Sequence, residues 1–263
     1  MGADLHHGFA EPGAAPALEL TRFLEAVDRL VGIRAIRRAM RRAIDLRAGM
    51  HLLDAGCGTG LEAARLAAEH PTAQVTGLDR NADLLRTARR DAPPGTTWLE
   101  ADLTASDLPD ATFDVVRTER VLMYLPGDEL GRGLDELIRL LRPGGRLVLF
   151  ELDYGGNILP PGRFGDDVVQ RAAAVLDDSL PQPRAGRRIP GLLRERGMLD
   201  VAASPYSFAL DEPVWRRIIH DTLKAGDPDT AVSAWLDETA ASAAAEGAFL
   251  AACTGVLTTA RRP

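Results

Sequence analysis

The sequence predicts an α/β protein built on a doubly wound, parallel sheet. Three observations carry that prediction. Between about residues 50 and 153, short apolar runs alternate with helical patterns. Proline and glycine punctuate the joints, at Pro71, at Pro93-Pro94-Gly95 and at Pro143-Gly144-Gly145. The chain has 263 residues and is 46% hydrophobic, enough to bury a substantial core in one elaborated domain. Repeated strand–helix units imply right-handed crossovers between parallel strands.

The elements follow in order. Residues 1 to about 17 are rich in Gly, Ala and Pro and are expected to be mobile. From Leu18 to Leu46 the pattern is helical: Phe23, Val27, Leu30, Ile33, Ile36, Met40 and Ile44 recur every three or four positions. Gly32 is the expected break between two helices. The other face carries Arg29, Arg34, Arg37, Arg38, Arg41 and Arg42. That reads as a solvated face; the sharper alternative has one arginine reaching an anionic ligand group. MHLLDAG (50–56) reads as a buried strand, LEAARLAAEH (61–70) as a helix stopped by Pro71, and QVTGLD (74–79) as the second strand. Asn81 is the expected N-cap of a helix over 82–91. Strands are expected at 96–102 and 113–118, a helix at 128–141, and a fifth strand at 145–153. The last third differs. An irregular stretch, YGGNILPPGRF (154–164), precedes helices at 165–179 and 187–197. A strand at 201–210 contains Pro205, which places it at a sheet edge. Helical segments at 212–225 and 228–246 lead to a final strand at 249–262.

Composition narrows the function classes. The formal net charge is −7. An acidic chain is a poor general binder of nucleic acid, so none is expected as a partner. Cys57 and Cys253 give neither a disulfide framework nor metal-ligand spacing, and a reducing, cytoplasmic setting fits. MGADLHHGFAEPGAAPALEL lacks the basic start and apolar core of a signal peptide. No run of 18 apolar residues occurs, so no membrane span is expected. The amphipathic N-terminal helix could pair across subunits in a homodimer.

The chemistry gathers at LLDAGCGTG (52–60). Glycines at 56, 58 and 60 let backbone N–H groups approach a ligand, and the following helix points its N-terminus at the same spot. A dinucleotide turn has the spacing G-x-G-x-x-G. Here the third such position is Leu61, and Asp54 stands just before the turn. A carboxylate beside a pyrophosphate is repulsive, but it can receive an ammonium. The turn suits a ligand carrying both an amino and a carboxylate group.

LLDAGCGTG resembles the first motif of class I S-adenosylmethionine-dependent methyltransferases. Asp79 closes the second strand, where a carboxylate can accept both ribose hydroxyls. Asp102-Leu103 follows the third, where the family holds adenine. RTERVLMYLP (117–126) and LRPGGRLVLFE (141–151) resemble the segments around the fourth and fifth strands. The type most resembled is the small-molecule enzymes of ubiquinone and menaquinone biosynthesis. That resemblance implies a Rossmann-like seven-stranded sheet with an antiparallel last strand. It implies a methyltransferase domain over 49–263, an N-terminal helical cap over 18–48, and S-adenosylmethionine held by Asp54, Ala55, Gly56, Cys57, Gly58, Gly60, Asp79, Arg80, Asp102, Leu103, Thr118 and Glu119. Arg120 could neutralise the methionine carboxylate or pair with Glu119.

The acceptor is expected to be a small organic molecule, such as a quinone-like ring or a specialised metabolite. Insertions near 154–186 and 211–247 are the expected pocket walls, with Phe164, Trp215, Ile218 and Trp235 among them. Tyr124, Glu151 and His220 are the candidate catalytic residues; Asp153 and Tyr154 lie beside Glu151. For the carboxylates the plainer role is capping backbone N–H groups; for Tyr124 and His220 it is packing. Other uses of the same cofactor fold are a cyclisation or rearrangement and a non-catalytic binding subunit. A dehydrogenase is disfavoured by Leu61 and Asp54.

Overall fold

In a computed structural model of the chain, the structure describes residues 5–90, 92–159, 164–215, 217, 219, 221–226, 230–246 and 251–263. Seven strands form one sheet: β1 (His51–Ala55), β2 (Gln74–Asp79), β3 (Thr96–Glu100), β4 (Phe113–Glu119), β5 (Leu141–Leu152), β6 (Leu199–Ala209) and β7 (Ala252–Arg261). Their order is β3-β2-β1-β4-β5-β7-β6. β7 runs antiparallel to both its neighbours, and the other pairings are parallel. The seven-stranded sheet with its antiparallel last strand is the expected one. Leu52, Leu53, Val115, Val116, Leu147 and Val148 are fully buried, as continuous apolar strands covered on both faces must be.

Pro205 lies in β6, at the edge of the sheet, where a strand proline is best tolerated. Pro143-Gly144-Gly145, expected as a turn, sits inside β5. There the pairing with β4 jumps from Phe113–Leu141 to Val115–Arg146, so the extra residues form a bulge.

The N-terminal part departs from expectation in two places. Residues 5–10, inside the segment expected to be mobile, form helix α1 (Leu5–Ala10). The next two helices are α2 (Ala17–Arg29) and α3 (Val31–Ile44), and they break at Leu30, whose backbone is extended. Gly32 lies within α3. A Cβ there would stand 2.3 Å from Phe208 Cβ, so this glycine lets α3 cross β6 closely. On the other side of the sheet, α8 (Ala185–Glu195) brings Gly186 against Val256. Phe208 pairs with Cys253, three residues from Val256, so the two contacts fall on opposite faces. α3 and α8 therefore cover the sheet from both sides.

The strand-linking helices α4 (Leu61–Glu69), α5 (Ala82–Arg90) and α6 (Glu129–Leu140) complete the layers. Asn81 caps α5: its Oδ1 accepts from Asp83 N at 3.0 Å and Leu84 N at 3.2 Å. The segment expected as one helix over 212–225 contains α9 (Glu212–Trp215) and α10 (Asp221–Gly226). α7 (Asp166–Asp178) and α11 (Thr230–Glu246) are the remaining helices among the described residues.

Candidate functional site

The strand order reverses between β1 and β4, and ligands of open α/β sheets bind at such a switch point, beyond the strands' carboxyl ends. The glycine turn lies there. Gly56 N and Cys57 N donate to Leu78 O at 2.7 and 3.0 Å, which ties the turn to β2. Gly60 has φ +73°, and a Cβ on it would meet the Trp98 ring at 2.4 Å and Ala88 Cβ at 2.9 Å. Gly60 thus allows close packing of α4's start on β3 and α5, and does not line the main cavity.

That cavity, with the solvent at its open mouth, spans about 1050 Å³. Gly56 and Gly58 form its floor, and Asp79, Arg80 and Asn81 line the β2 end. Ala101, Asp102 and Leu103 line the β3 end. Asp79 Oδ2 accepts from Gly58 N at 2.7 Å and Oδ1 from Asn81 N at 2.9 Å. Each carboxylate oxygen has a second lone pair, so both remain able to accept a hydroxyl. Burial raises the Asp79 pKa against those two N–H bonds. Asp102 Oδ1 accepts from Thr104 N and Oγ1, both at 2.7 Å.

A smaller cavity of about 420 Å³ adjoins, sharing Leu24, Gly56, Gly58, Glu119 and Arg120 with the first. Cys57 and Asp54 line it. Asp54 is not simply waiting for a ligand's ammonium. Its Oδ1 accepts from Arg117 Nη1 at 2.7 Å, and both side chains are 3% exposed. Burial pushes the Asp54 carboxyl up to about 6, and Arg117 pulls it back. Arg117 also donates to Glu119 at 2.8 Å. Glu119 takes two bonds of 2.9 Å from Arg37, which donates to Asp28 at 2.5 Å. Arg65 continues the chain to Asp28 at 2.5 and 2.7 Å. Acid and base alternate from Asp54 to Arg65, so each buried charge has an opposite neighbour. On the arginine face of α3, Arg34, Arg38 and Arg42 are exposed, but Arg37 is buried in this network.

The other expected residues are scattered. Ala55 is fully buried at the end of β1. Thr118 is buried, and its Oγ1 has no hydrogen-bond partner among the described residues. Arg80 reaches α1, donating to the carbonyls of Phe9 and Ala10. Glu151 does not line the cavity. Its carboxylate accepts from the backbone N–H groups of Val121, Leu122 and Met123 at 2.9, 3.0 and 3.3 Å. Burial pushes it up to about 7 despite these donors. It holds the turn that carries Tyr124, which is the plainer of its two expected roles. Tyr124 lines the cavity. His220 and Ile218 lie outside the described residues. Trp215 and Trp235 are fully buried and do not line the cavity, nor does Phe164.

The wall facing Tyr124 comes instead from the N-terminal helices, through His6 and Phe9 of α1 and Phe23 and Leu24 of α2. Leu152 and Tyr154, at the end of β5, close it. His6 and Phe9 carry little signal in the sequence, because α1 is one short turn-and-a-half. Its signal is slight: His6 and Phe9 three apart, hence on one face.

Among the described residues, no group of three or more His, Cys, Asp or Glu could hold a metal, and no helix is long and apolar enough to cross a membrane. Two buried nitrogens beside the smaller cavity, Arg117 Nε and Arg120 Nε, have no hydrogen-bond partner among the described residues. Unpaired buried donors are costly and suit an anionic ligand group such as a carboxylate. With the carboxylates at the β2 and β3 ends, the donors and acceptors fit a nucleoside joined to an amino-acid tail.

Fold and cavity thus define an α/β protein whose switch-point cavity has donors and acceptors suited to a nucleoside-containing cofactor. Residues 52–145 match the methyltransferase domain family. A demethylmenaquinone methyltransferase of Thermus thermophilus is 36% identical over 153 residues, 56% of this chain and 67% of that protein. A 27-O-demethylrifamycin SV methyltransferase of Amycolatopsis mediterranei is 34% identical over 169 residues, 62% of this chain but only 55% of that protein. The structure of the N-methyltransferase NodS from Bradyrhizobium japonicum, in complex with S-adenosyl-L-homocysteine, superposes with a TM-score of 0.56 at 16% identity and covers 90% of each chain. This chain belongs to the class I S-adenosylmethionine-dependent methyltransferases of small-molecule type.

Proposed function

We propose that the protein methylates a largely apolar, ring-bearing small molecule of specialised or quinone metabolism. The observation that carries this reading is the cavity wall opposite the glycine turn. It is built from Phe9, Phe23, Met123, Tyr124, Leu125 and Tyr154, an aromatic enclosure with few charges. The relatives' names support the same substrate range: one is named for demethylmenaquinone and the other for 27-O-demethylrifamycin SV.

In this reading Asp79 accepts the ribose hydroxyls. Asp102 accepts from the adenine amine, and Leu103 covers the ring. Arg120, with its unpaired Nε, binds the methionine carboxylate. Asp54, shared with Arg117, receives the ammonium. Bound S-adenosylmethionine supplies an activated methyl group. The chain's own contribution is then to align the acceptor and exclude water, which provides most of the rate. Both cysteines are free thiols, which suits a reducing compartment.

The test pairs calorimetry with product mass. S-adenosylmethionine is expected to bind the isolated protein, and an acceptor from a panel of hydroquinones and phenols to gain one CH₂. Absence of binding overturns the cofactor assignment. Conversion of an acceptor at unchanged mass would instead favour the cyclisation or rearrangement reading.

A further inference from the structure

His6 is 8% exposed and sits between two tyrosines that come from different strand ends. Its Nδ1 lies 3.4 Å from Tyr124 Oη, and its Nε2 lies 3.4 Å from Tyr154 Oη. The ring centroids are 6.0 and 6.2 Å apart. All three residues line the main cavity. Helix α1, which brings His6 there, is seated deliberately. Phe9 packs against Phe23 and Tyr124 with ring centroids 5.8 Å away in each case, and Arg80 ties down the carbonyls at its end.

We infer that Tyr124, His6 and Tyr154 form a proton relay that deprotonates the acceptor, with His6 as the proton's resting place. The inference rests on the methyl-transfer reading above. A neutral imidazole offers one donor and one acceptor nitrogen. Tyr154 fixes Nε2–H by accepting from it. Nδ1 is then left to accept from Tyr124, which lines the cavity. When the acceptor's oxygen bonds to the methyl carbon, the departing sulfur keeps the electron pair of the broken carbon–sulfur bond. The acceptor's proton passes to Tyr124 Oη, the Tyr124 proton passes to His6 Nδ1, and the imidazolium later releases it to solvent. One positive charge is lost at sulfur and one is gained at His6, so the enclosed site keeps its net charge. That balance matters in a partly buried site, where an added net charge is costly.

Among the described residues, several titratable and charged groups face the relay or lie near it. Tyr154 is held protonated, because burial pushes its phenol well up, with Cys253 and Tyr124 adding to the effect and Arg120 opposing it. Cys253 itself is pushed up to about 12 by burial, so it stays a neutral thiol. Glu119 and Arg120, which also line the cavity, are paired with each other at 3.3 Å. On α1 itself, His7 lies 3.3 Å from Glu11 at the surface.

The experiment uses the full chain in two arms. In the first, His6→Gln is compared with wild type on a phenolic acceptor. Wild-type kcat is expected to show an acid limb, because an imidazolium accepts no proton. His6→Gln is expected to lose about 10²- to 10⁴-fold in kcat and to lose that acid limb, with Tm unchanged and S-adenosylmethionine affinity within about twofold. A kcat within about threefold of wild type, or a surviving acid limb, overturns the relay. The second arm needs no turnover: ¹⁵N NMR of the ligand-free protein reads the His6 tautomer in wild type, Tyr124→Phe and Tyr154→Phe. Protonated Nε2 in wild type and a changed tautomer balance in Tyr154→Phe are expected. A His6 ring indifferent to both substitutions overturns the relay. If no acceptor turns over in wild type, the methyl-transfer reading fails and the NMR arm alone decides the relay's geometry.

Discussion

Glu119→Gln tests the buried ion chain that underlies the smaller cavity. The Glu119 carboxylate, 6% exposed, receives two bonds of 2.9 Å from Arg37, one of 2.8 Å from Arg117 and one of 3.3 Å from Arg120. Glutamine keeps the volume, removes the charge and turns an NH₂ toward one guanidinium. Removing one partner of a buried pair costs about 3–5 kcal/mol. Asp54 still partners Arg117, and Asp28 still partners Arg37. The expectation is therefore the low end, about 3 kcal/mol at neutral pH. Burial alone would raise the Glu119 pKa, but Arg37, Arg120 and Arg117 outweigh it and hold the carboxyl well below its ordinary value. A lowered folded-state pKa contributes stability above the unfolded value, and that stability is lost as pH falls below it. The deficit of the variant is thus expected to stay level down to about pH 4.5, then shrink by about 1.4 kcal/mol per unit. Urea unfolding of the ligand-free protein, followed by circular dichroism at about pH 7, 5 and 3.5, reads this from the midpoints at constant slope. A deficit below about 1 kcal/mol at neutral pH, or one that stays level on acidification, refutes the ion-chain reasoning.

Gly60→Ala and Gly49→Ala separate packing from backbone strain, since φ is +73° and +75° but only Gly60 has neighbours within 4 Å of a Cβ. Gly49→Ala should cost about 1–2 kcal/mol in thermal or urea unfolding, and Gly60→Ala about 1–3 kcal/mol more; equal costs would mean that Trp98 yields freely. Asp79→Ala is expected to weaken S-adenosylmethionine binding by about 1–3 kcal/mol in calorimetry, and an unchanged affinity would remove Asp79 from the ribose site. Glu151 has its folded-state pKa raised to about 7 by burial. A raised acid loses stability as pH rises from the unfolded value to the folded one, here from about 4.5 to 7, by on the order of 3 kcal/mol. Glu151→Gln should flatten the stability curve in that window; a curve with wild-type slope would show that Glu151 does not titrate there.

Much of the cofactor side was legible in the chain. LLDAGCGTG, Asp79 and Asp102 stand at consecutive strand ends, and periodicity locates strand ends well. Pro205 announced an edge strand, and Asn81 a helix cap. The acceptor side was not legible. The aromatic residues Trp215 and Trp235 look like pocket walls in sequence but pack in the core. Whether an apolar side chain faces a cavity or a neighbour depends on what lies opposite, and linear patterning carries no such information. Asp54 was read as open to an ammonium, and its partner Arg117 is 63 residues away. Arg37, one of six similar arginines, is singled out only because α3 passes over Glu119, 82 residues further on.

By itself, then, the sequence determined the α/β class and the glycine turn at the end of β1, beside the point where the strand order reverses. Those depend on local rules: side-chain period, glycine spacing and strand-terminal carboxylates. Only the tertiary structure decided which charges neutralise one another and what faces the glycine turn. It brings His6, from a six-residue helix with little local signal, between Tyr124 and Tyr154, 118 and 148 positions away. Contacts at that separation are set by how helices dock on the sheet, and docking is a property of the whole packed core.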